Sequence, residues 1–324
     1  MRLRTRLTEL LGIDLPIVQA GMSWASSSPG LAAAVSEAGG LGTVAAGPMR
    51  LDDLRAAVRE VKARTAKPFA LNVPLYRQGS AECLDLAIEE KVPVLIASQG
   101  GPKAYIDRFK AAGRICLHVV ASVEHAVKAE AAGVHGLIVV GSEAGGHPPA
   151  SGVTTLVVVR RVVQGSRLPV VAGGGIADGA GIAAMLCLGA DGVQLGTRFL
   201  MTHEATVHDA YKNAIRLARP EDTTLVGPAS APVRVLRNDF TDAYRAAERS
   251  GAGVDDLATR FKAGTLKMAA FDGNIADGKV EAGQSAGLID DIVPAAALVA
   301  RLARETEAAL DRLRRMTPAP AGVA

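Results

Sequence analysis

The chain has 324 residues, 49% of them hydrophobic, enough for one large domain with a smaller companion. Lys and Arg number 36 against 33 Asp and Glu, giving a net charge of +3 without long runs of one sign, and aromatic residues make up only 3%. That balance argues against nucleic acid or a membrane as partner and leaves few rings for stacking bases. The three cysteines, Cys83, Cys116 and Cys187, have neither metal-site nor disulfide spacing, so no metal is expected. The opening MRLRTRLTELLGIDLP breaks its apolar residues with charges, unlike a secretory signal, and no apolar run is long enough to span a bilayer. A cytoplasmic, reduced, soluble protein is expected.

Eight short apolar, β-branched runs follow in order: PIVQAGM from Pro16, LGTVAA from Leu41, PFALNV from Pro68, VPVLIAS from Val92, ICLHVV from Ile115, GLIVVG from Gly136, PVVAGGG from Pro169 and GVQLGTRF from Gly192. Between them lie helix-like stretches such as LDDLRAAVREVKA and ASVEHAVKAEAAG, with apolar residues three and four apart. Strands alternating with helices at this pace predict parallel βαβ units. Eight of them favour an α/β chain closed as a (β/α)8 TIM barrel over an open doubly wound sheet.

The pentapeptide SEAGG occurs twice, before Leu41 and before His147. The first copy ends a helix that SSSPG starts, with Ser27 or Ser28 at the N-cap and Pro29 in the first turn, and reads as a helix terminator. The second follows a strand, where no helix needs terminating. It lies at the C-terminal end of run six, the end at which such barrels keep their active sites. These assignments divide the chain into a barrel over 1–201, a helical cap over 202–283 inserted near the C-terminus, and a segment over 284–324 that returns to the barrel as a long amphipathic helix. The tail TPAPAGVA is expected to fray.

Several loops at the strand ends could carry chemistry. Run seven ends in Gly173, Gly174 and Gly175, which bare backbone amides for a phosphate. Gly196 and Thr197, at the end of run eight, add an amide and a hydroxyl. After run one, Gly21 admits a planar ring and Met22 offers a soft apolar contact; after run three, Asn72 can donate to and accept from a ring edge. Together these outline a pocket for flavin mononucleotide. His147, in the Gly145–Gly146 loop, is the candidate acid or base. Glu143 either orients His147 or braces the loop. The other histidines, His118, His125, His135, His203 and His208, read as structural or solvated.

With those residues in view, the chain resembles the nitronate monooxygenase family, formerly the 2-nitropropane dioxygenases. Its superfamily also holds the FMN-dependent enoyl-ACP reductases. The likeness runs from RTRLTELLGIDLPIVQAGM and SEAGGLGTVAAG through KPFALNV, SEAGGH, PVVAGGGIADG and GADGVQLGTRFL to EAGQSAGLIDD. It implies non-covalent FMN held by Gly21, Met22, Asn72, Gly145, Gly146, Gly173, Gly174, Gly175, Gly196 and Thr197. It places catalysis on His147, with Gln284 and Ser285 returning to the flavin. The implied reaction is oxidation of alkyl nitronates or nitroalkanes with O2 to a carbonyl compound and nitrite. The alternative is an NAD(P)H-dependent reductase of the enoyl-ACP or quinone type, with NAD(P)H as co-substrate; a more remote one is a non-catalytic barrel that binds a phosphorylated ligand. Expected partners are a small molecule and O2, in a monomer or homodimer. The chain departs from the family pattern in three places. Ala20 stands where a glycine usually precedes Gly21-Met22, Pro148 and Pro149 follow His147, and Val119 rather than Lys follows His118. The strand-five pattern and DTTLVGPASAPVRVLRN are closer to the reductase branch.

Overall fold

The computed structural model describes residues 3–26 and 28–316. The eight runs form eight parallel strands: β1 Ile17–Gln19, β2 Gly42–Ala45, β3 Phe69–Pro74, β4 Val94–Ser98, β5 Ile115–Val120, β6 Gly136–Val140, β7 Val170–Gly173 and β8 Gly192–Leu195. Each pairs with its sequence neighbour from β2 to β8, and β8 pairs with β1. The remaining seam closes just before β2, where Gln19 N–H donates to Leu41 O and Leu41 N–H to Ile17 O, both at 2.9 Å. The last part of run eight leaves the sheet at once: Thr197–Leu200 is a short helical turn.

Alternation along the strands sorts the side chains. Val18, Ala70, Val94, Ile96, Leu117, Ile138 and Val171 fill the barrel interior. Ile17, Val44, Leu71, Leu95, Cys116, Val139, Val170 and Val193 point outward to the helices. The opening segment supplies more than surface charge. Helix Arg6–Leu11, capped by Thr5, packs Leu7 and Leu11 against the interior cluster, and Arg6 pairs with Asp191 at 2.8 and 2.7 Å.

The first SEAGG does end a helix, Pro29–Glu37. Gly39 (φ +94°) takes the left-handed turn there, and its N–H donates to Ser36 O at 3.0 Å. Ser28 occupies the N-cap position without a side-chain cap bond, and Pro29 follows it. The expectations for Ser27 and for the tail 317–324 lie outside the described residues.

Residues 202–283 hold the helices Asp209–Leu217, Asp239–Arg249, Val254–Ala263 and Leu266–Ala270. They are not wholly helical, however. β9 Thr223–Val226 and β10 Val233–Leu236 form an antiparallel hairpin, because β-branched residues flank a Gly-Pro turn. Beyond them, helix Ala295–Met316 lies on the barrel wall with Leu298, Val299, Leu302, Ala303 and Thr306 buried. It meets helix Gly179–Cys187 where Gly179 N–H donates to Glu305 Oε2 at 2.9 Å. A Cβ at Gly179 would collide with the Thr306 backbone and the Glu305 side chain. Gly179→Val should therefore lower the unfolding free energy by about 2 kcal/mol or more. Urea titration followed by circular dichroism reads that loss, and an unchanged midpoint would show that the two helices are free to separate.

Candidate active site

A cavity of ≈ 450 Å³ opens at the C-terminal end of the barrel. Its floor is the top layer of the barrel interior: Asn72, Val119, Val140 and Gln194. Gly21, Met22, Gly145, Gly146, His147, Gly173, Gly174, Gly175, Gly196, Thr197 and Ser285 line it as well, so loops far apart in sequence meet around one space. Gln284 stands apart from the lining. Its backbone N–H donates to Glu143 O at 3.0 Å and seats the returning segment on the loop after β6.

Local contacts explain why these residue types occur here. A Cβ on Gly21 would lie 2.6 Å from Asn72 Oδ1, so the glycine makes room for that amide, whose Nδ2 donates to Ile96 O at 3.1 Å. Gly174 (φ +106°) and Gly175 (φ +74°) hold left-handed conformations that a side chain would strain. Among the described residues nothing accepts from their backbone N–H groups, which is the state of a cradle open to an anion. The donor set fits a phosphate: two bare amides beside the Gly196–Thr197 corner, while the Glu143 carboxylate behind Gly175 is already taken up by Thr155.

The second SEAGG is built differently from the first. Glu143 Oε2 accepts from Thr155 N–H at 2.8 Å and Thr155 Oγ1 at 2.9 Å, so it braces the start of helix Thr155–Gly165. Of the two roles weighed for Glu143, bracing is the one the geometry shows. Gly146 and Arg234 exchange backbone hydrogen bonds at 3.1 and 2.6 Å, which ties β10 to the loop. A Cβ on Gly145 would lie 2.6 Å from both Ala282 C and Gly283 N, and Gly283 N–H donates to Thr197 Oγ1 at 3.0 Å. The loop, the hairpin and the return thus lock together behind His147.

The family model for nitronate monooxygenase matches residues 4–83 and 76–305. The chain belongs to the nitronate monooxygenase family. It is 36% identical to the (3aS,4S,5R,7aS)-5-hydroxy-7a-methyl-1-oxo-octahydro-1H-indene-4-carboxyl-CoA dehydrogenase of Mycobacterium tuberculosis, over 90% of this chain and 93% of that protein. It is 35% identical to a nitronate monooxygenase of Paraburkholderia phytofirmans, over 95% of this chain and 96% of that protein. The structure of FabK from Thermotoga maritima superposes with a TM-score of 0.92 at 40% identity, covering 97% of this chain and 100% of that one. The chain is thus an enzyme, an oxidoreductase of a flavin-dependent family that acts on small molecules. No helix among the described residues is long and apolar enough to cross a membrane.

Several residues of this family member's site were not picked out from sequence. Ser23 (φ 51°) and Gln99 (φ 55°) line the cavity in left-handed conformations that cost a non-glycine residue energy. Arg77, Lys267 and Glu281 bring charge to its walls. Burial pushes the His147 imidazole below its ordinary pKa, and the Lys279 charge acts in the same direction. His118 is absent from this lining; it borders a neighbouring cavity and is bonded through Nδ1 to the Tyr105 hydroxyl at 2.9 Å. Beside Thr197, the buried Arg198 reaches Asp291 at 2.7 Å, and Arg301 holds the other carboxylate oxygen of Asp291 at 2.6 Å.

The hydrogen bond from Arg301, helped by Arg198 against a burial effect, holds Asp291 down from 3.8 to about 2. A carboxyl depressed in the folded state stabilises above its unfolded pKa, and that contribution is lost as pH falls through the folded value. Asp291→Asn should therefore flatten the acid loss of stability between pH 3.8 and about 2. Urea unfolding at stepped pH measures this, and an acid limb as steep as the parent's would refute the network.

Proposed function

We propose that the chain is an FMN-dependent nitronate monooxygenase that oxidises nitroalkanes or their nitronates with O2, with His147 as the base. The observation that carries this reading is the place of His147. It lines the cavity at the barrel mouth and also a second cavity of ≈ 580 Å³ that shares Gln99, Val119 and Val140 with the first. A group held there stands between a cofactor on one side and a substrate on the other.

The cofactor side is the glycine cradle. Gly174 and Gly175 would meet the FMN phosphate with their amides, together with Gly196 and Thr197. Gly21, Met22 and Asn72 would border the ring. When bound, FMN supplies the electron acceptor that these side chains lack. Pro148 and Pro149 stiffen the chain just after His147 and wall the substrate side. Burial favours the neutral form of the His147 imidazole, and that form can accept a proton from a carbon made acidic by a nitro group. A preformed nitronate has already lost that proton and needs no base.

A second reading is favoured by the size and walls of the second cavity. Val119, Ala121, Pro148, Pro149, Ala231 and Pro232 make it apolar and larger than a short nitroalkane fills. In that reading these walls would hold an acyl thioester, and FMN with NAD(P)H would supply the reducing chemistry, in line with the similarity to FabK and to a protein named for a carboxyl-CoA substrate. No strand–Gly-x-Gly-x-x-Gly–helix module exists in the sequence, so the nicotinamide would stack on the flavin directly.

One anaerobic experiment separates the two. Nitroalkane should bleach the flavin absorbance while NADH and NADPH leave it oxidised; rapid bleaching by either nucleotide would move the assignment to the reductase. His147→Ala should keep its flavin and lose on the order of 10²–10⁴-fold in rate on neutral nitroalkane, with far less lost on preformed nitronate. Equal rates for mutant and parent on both substrates would remove His147 from the chemistry.

A further inference from the structure

Glu281 has no part in the chemistry described so far. It lies in the extended return after Lys279, where Val280 and Ala282 point into the cap core and the Glu281 side chain faces the cavity. Its backbone is well held, since the Tyr211 hydroxyl donates to Glu281 O at 2.8 Å. Its carboxyl is not. Among the described residues it has no ion-pair partner and no hydrogen-bond donor. Lys279 turns away, donating to Phe261 O at 2.7 Å with its ammonium 3.3 Å from the Phe261 ring centre. Burying an unpartnered carboxylate is costly, and one that opens onto an active-site cavity has its natural partners in what enters there.

Its position relative to His147 is the second observation. A Cβ built on Gly146, the residue before His147, would lie 3.1 Å from Glu281 Oε2. The two segments touch backbone to backbone at Gly145 and Ala282, so His147 and Glu281 stand on adjoining walls of one space.

We propose that Glu281 is the second proton-handling residue of this site and receives from His147 the proton that His147 removes from the substrate. This rests on the reading of His147 as the base. The substrate C–H bond breaks and its proton bonds to the imidazole. The imidazolium N–H then breaks and the proton bonds to the Glu281 carboxylate, from which it leaves to water at the mouth. The electron pair of the broken C–H bond stays on the substrate as its nitronate, neither residue is oxidised or reduced, and His147 is returned neutral for the next substrate.

The electrostatics suit the transfer. Burial raises Glu281 to about 7 against the opposing pull of Lys279, and burial lowers His147. Burial thus disfavours the charged form of each group, and moving a proton from the imidazolium to the carboxylate removes both charges at once. The groups around Glu281 are Lys279 on its own segment, Tyr211 on helix Asp209–Leu217 and His147 after β6. Lys267 and Arg77 lie further along the cavity wall.

The test is Glu281→Gln, which keeps shape and removes the ionisation. In the FMN-loaded protein, the 15N signals of the His147 imidazole are followed from about pH 5 to about pH 9. The parent should give a two-step curve and the variant a single step. Turnover of neutral nitroalkane should fall by on the order of tenfold to a hundredfold and lose its pH dependence near neutrality, while turnover of preformed nitronate is unchanged. Glu281→Asp should restore part of both. A His147 curve identical in parent and variant would overturn the relay, and Glu281→Met offers the same reading in a second uncharged background. If His147→Ala is inactive and the His147 curve ignores Glu281, this inference alone fails. If His147→Ala is fully active, the assignment of the base itself has failed.

Discussion

Two glycines make the contact on which the site depends. Gly145, in the loop after β6, and Gly283, in the return from the cap, bring their backbones together more closely than any side chain would allow. A Cβ on Gly145 would strike the Ala282–Gly283 peptide, and one on Gly283 would lie 2.7 Å from Glu143 O. This contact fixes residues 281–285 over the barrel mouth. It also sets the distance between His147, Thr197 and Glu281, which come from three different parts of the chain. Arg234 ties the hairpin to the same loop, through its backbone to Gly146 and through Nε to Ser142 O at 3.0 Å. The mouth of the barrel is thereby framed by backbone contacts between the loop, the hairpin and the return.

The two copies of SEAGG show how context decides the meaning of one sequence. After a helix, Gly39 turns the chain and Gly40 passes close to the Ile17 carbonyl, so the motif ends one element and starts the next. After a strand, the same residues give a loop in which Glu143 braces a following helix and the glycines meet another backbone. Only the flanking periodicity, helix in one case and strand in the other, separates the two in the sequence.

That same periodicity explains how much was legible. The eight strands were readable because each buried run is short, β-branched and bounded by glycine or proline. The glycine-rich mouth was readable because left-handed positions such as Gly174 and Gly175 leave a compositional trace. The β9–β10 hairpin also left a trace, in the β-branched residues on both sides of the Gly-Pro turn, yet it lies inside a largely helical segment that hid it. The plugging role of Leu7 and Leu11 and the exposure of Glu281 to the cavity left none. They depend on which surfaces a segment meets after the chain returns, and neither spacing nor composition carries that information. Ser23 and Gln99 were missed for a related reason: their strained backbones are imposed by surrounding packing rather than by residue type.

On the function proposed above, the glycine cradle after β7 and β8 would hold the phosphate of FMN, with Asn72 and His147 bordering its ring. A crystal structure of the protein grown with FMN tests it most directly. The phosphate should accept hydrogen bonds from the backbone amides of Gly174 and Gly175, with the ring edge at Asn72 and one ring face toward His147. A phosphate bound away from those two amides, or a ring outside the space between Asn72 and His147, would contradict it.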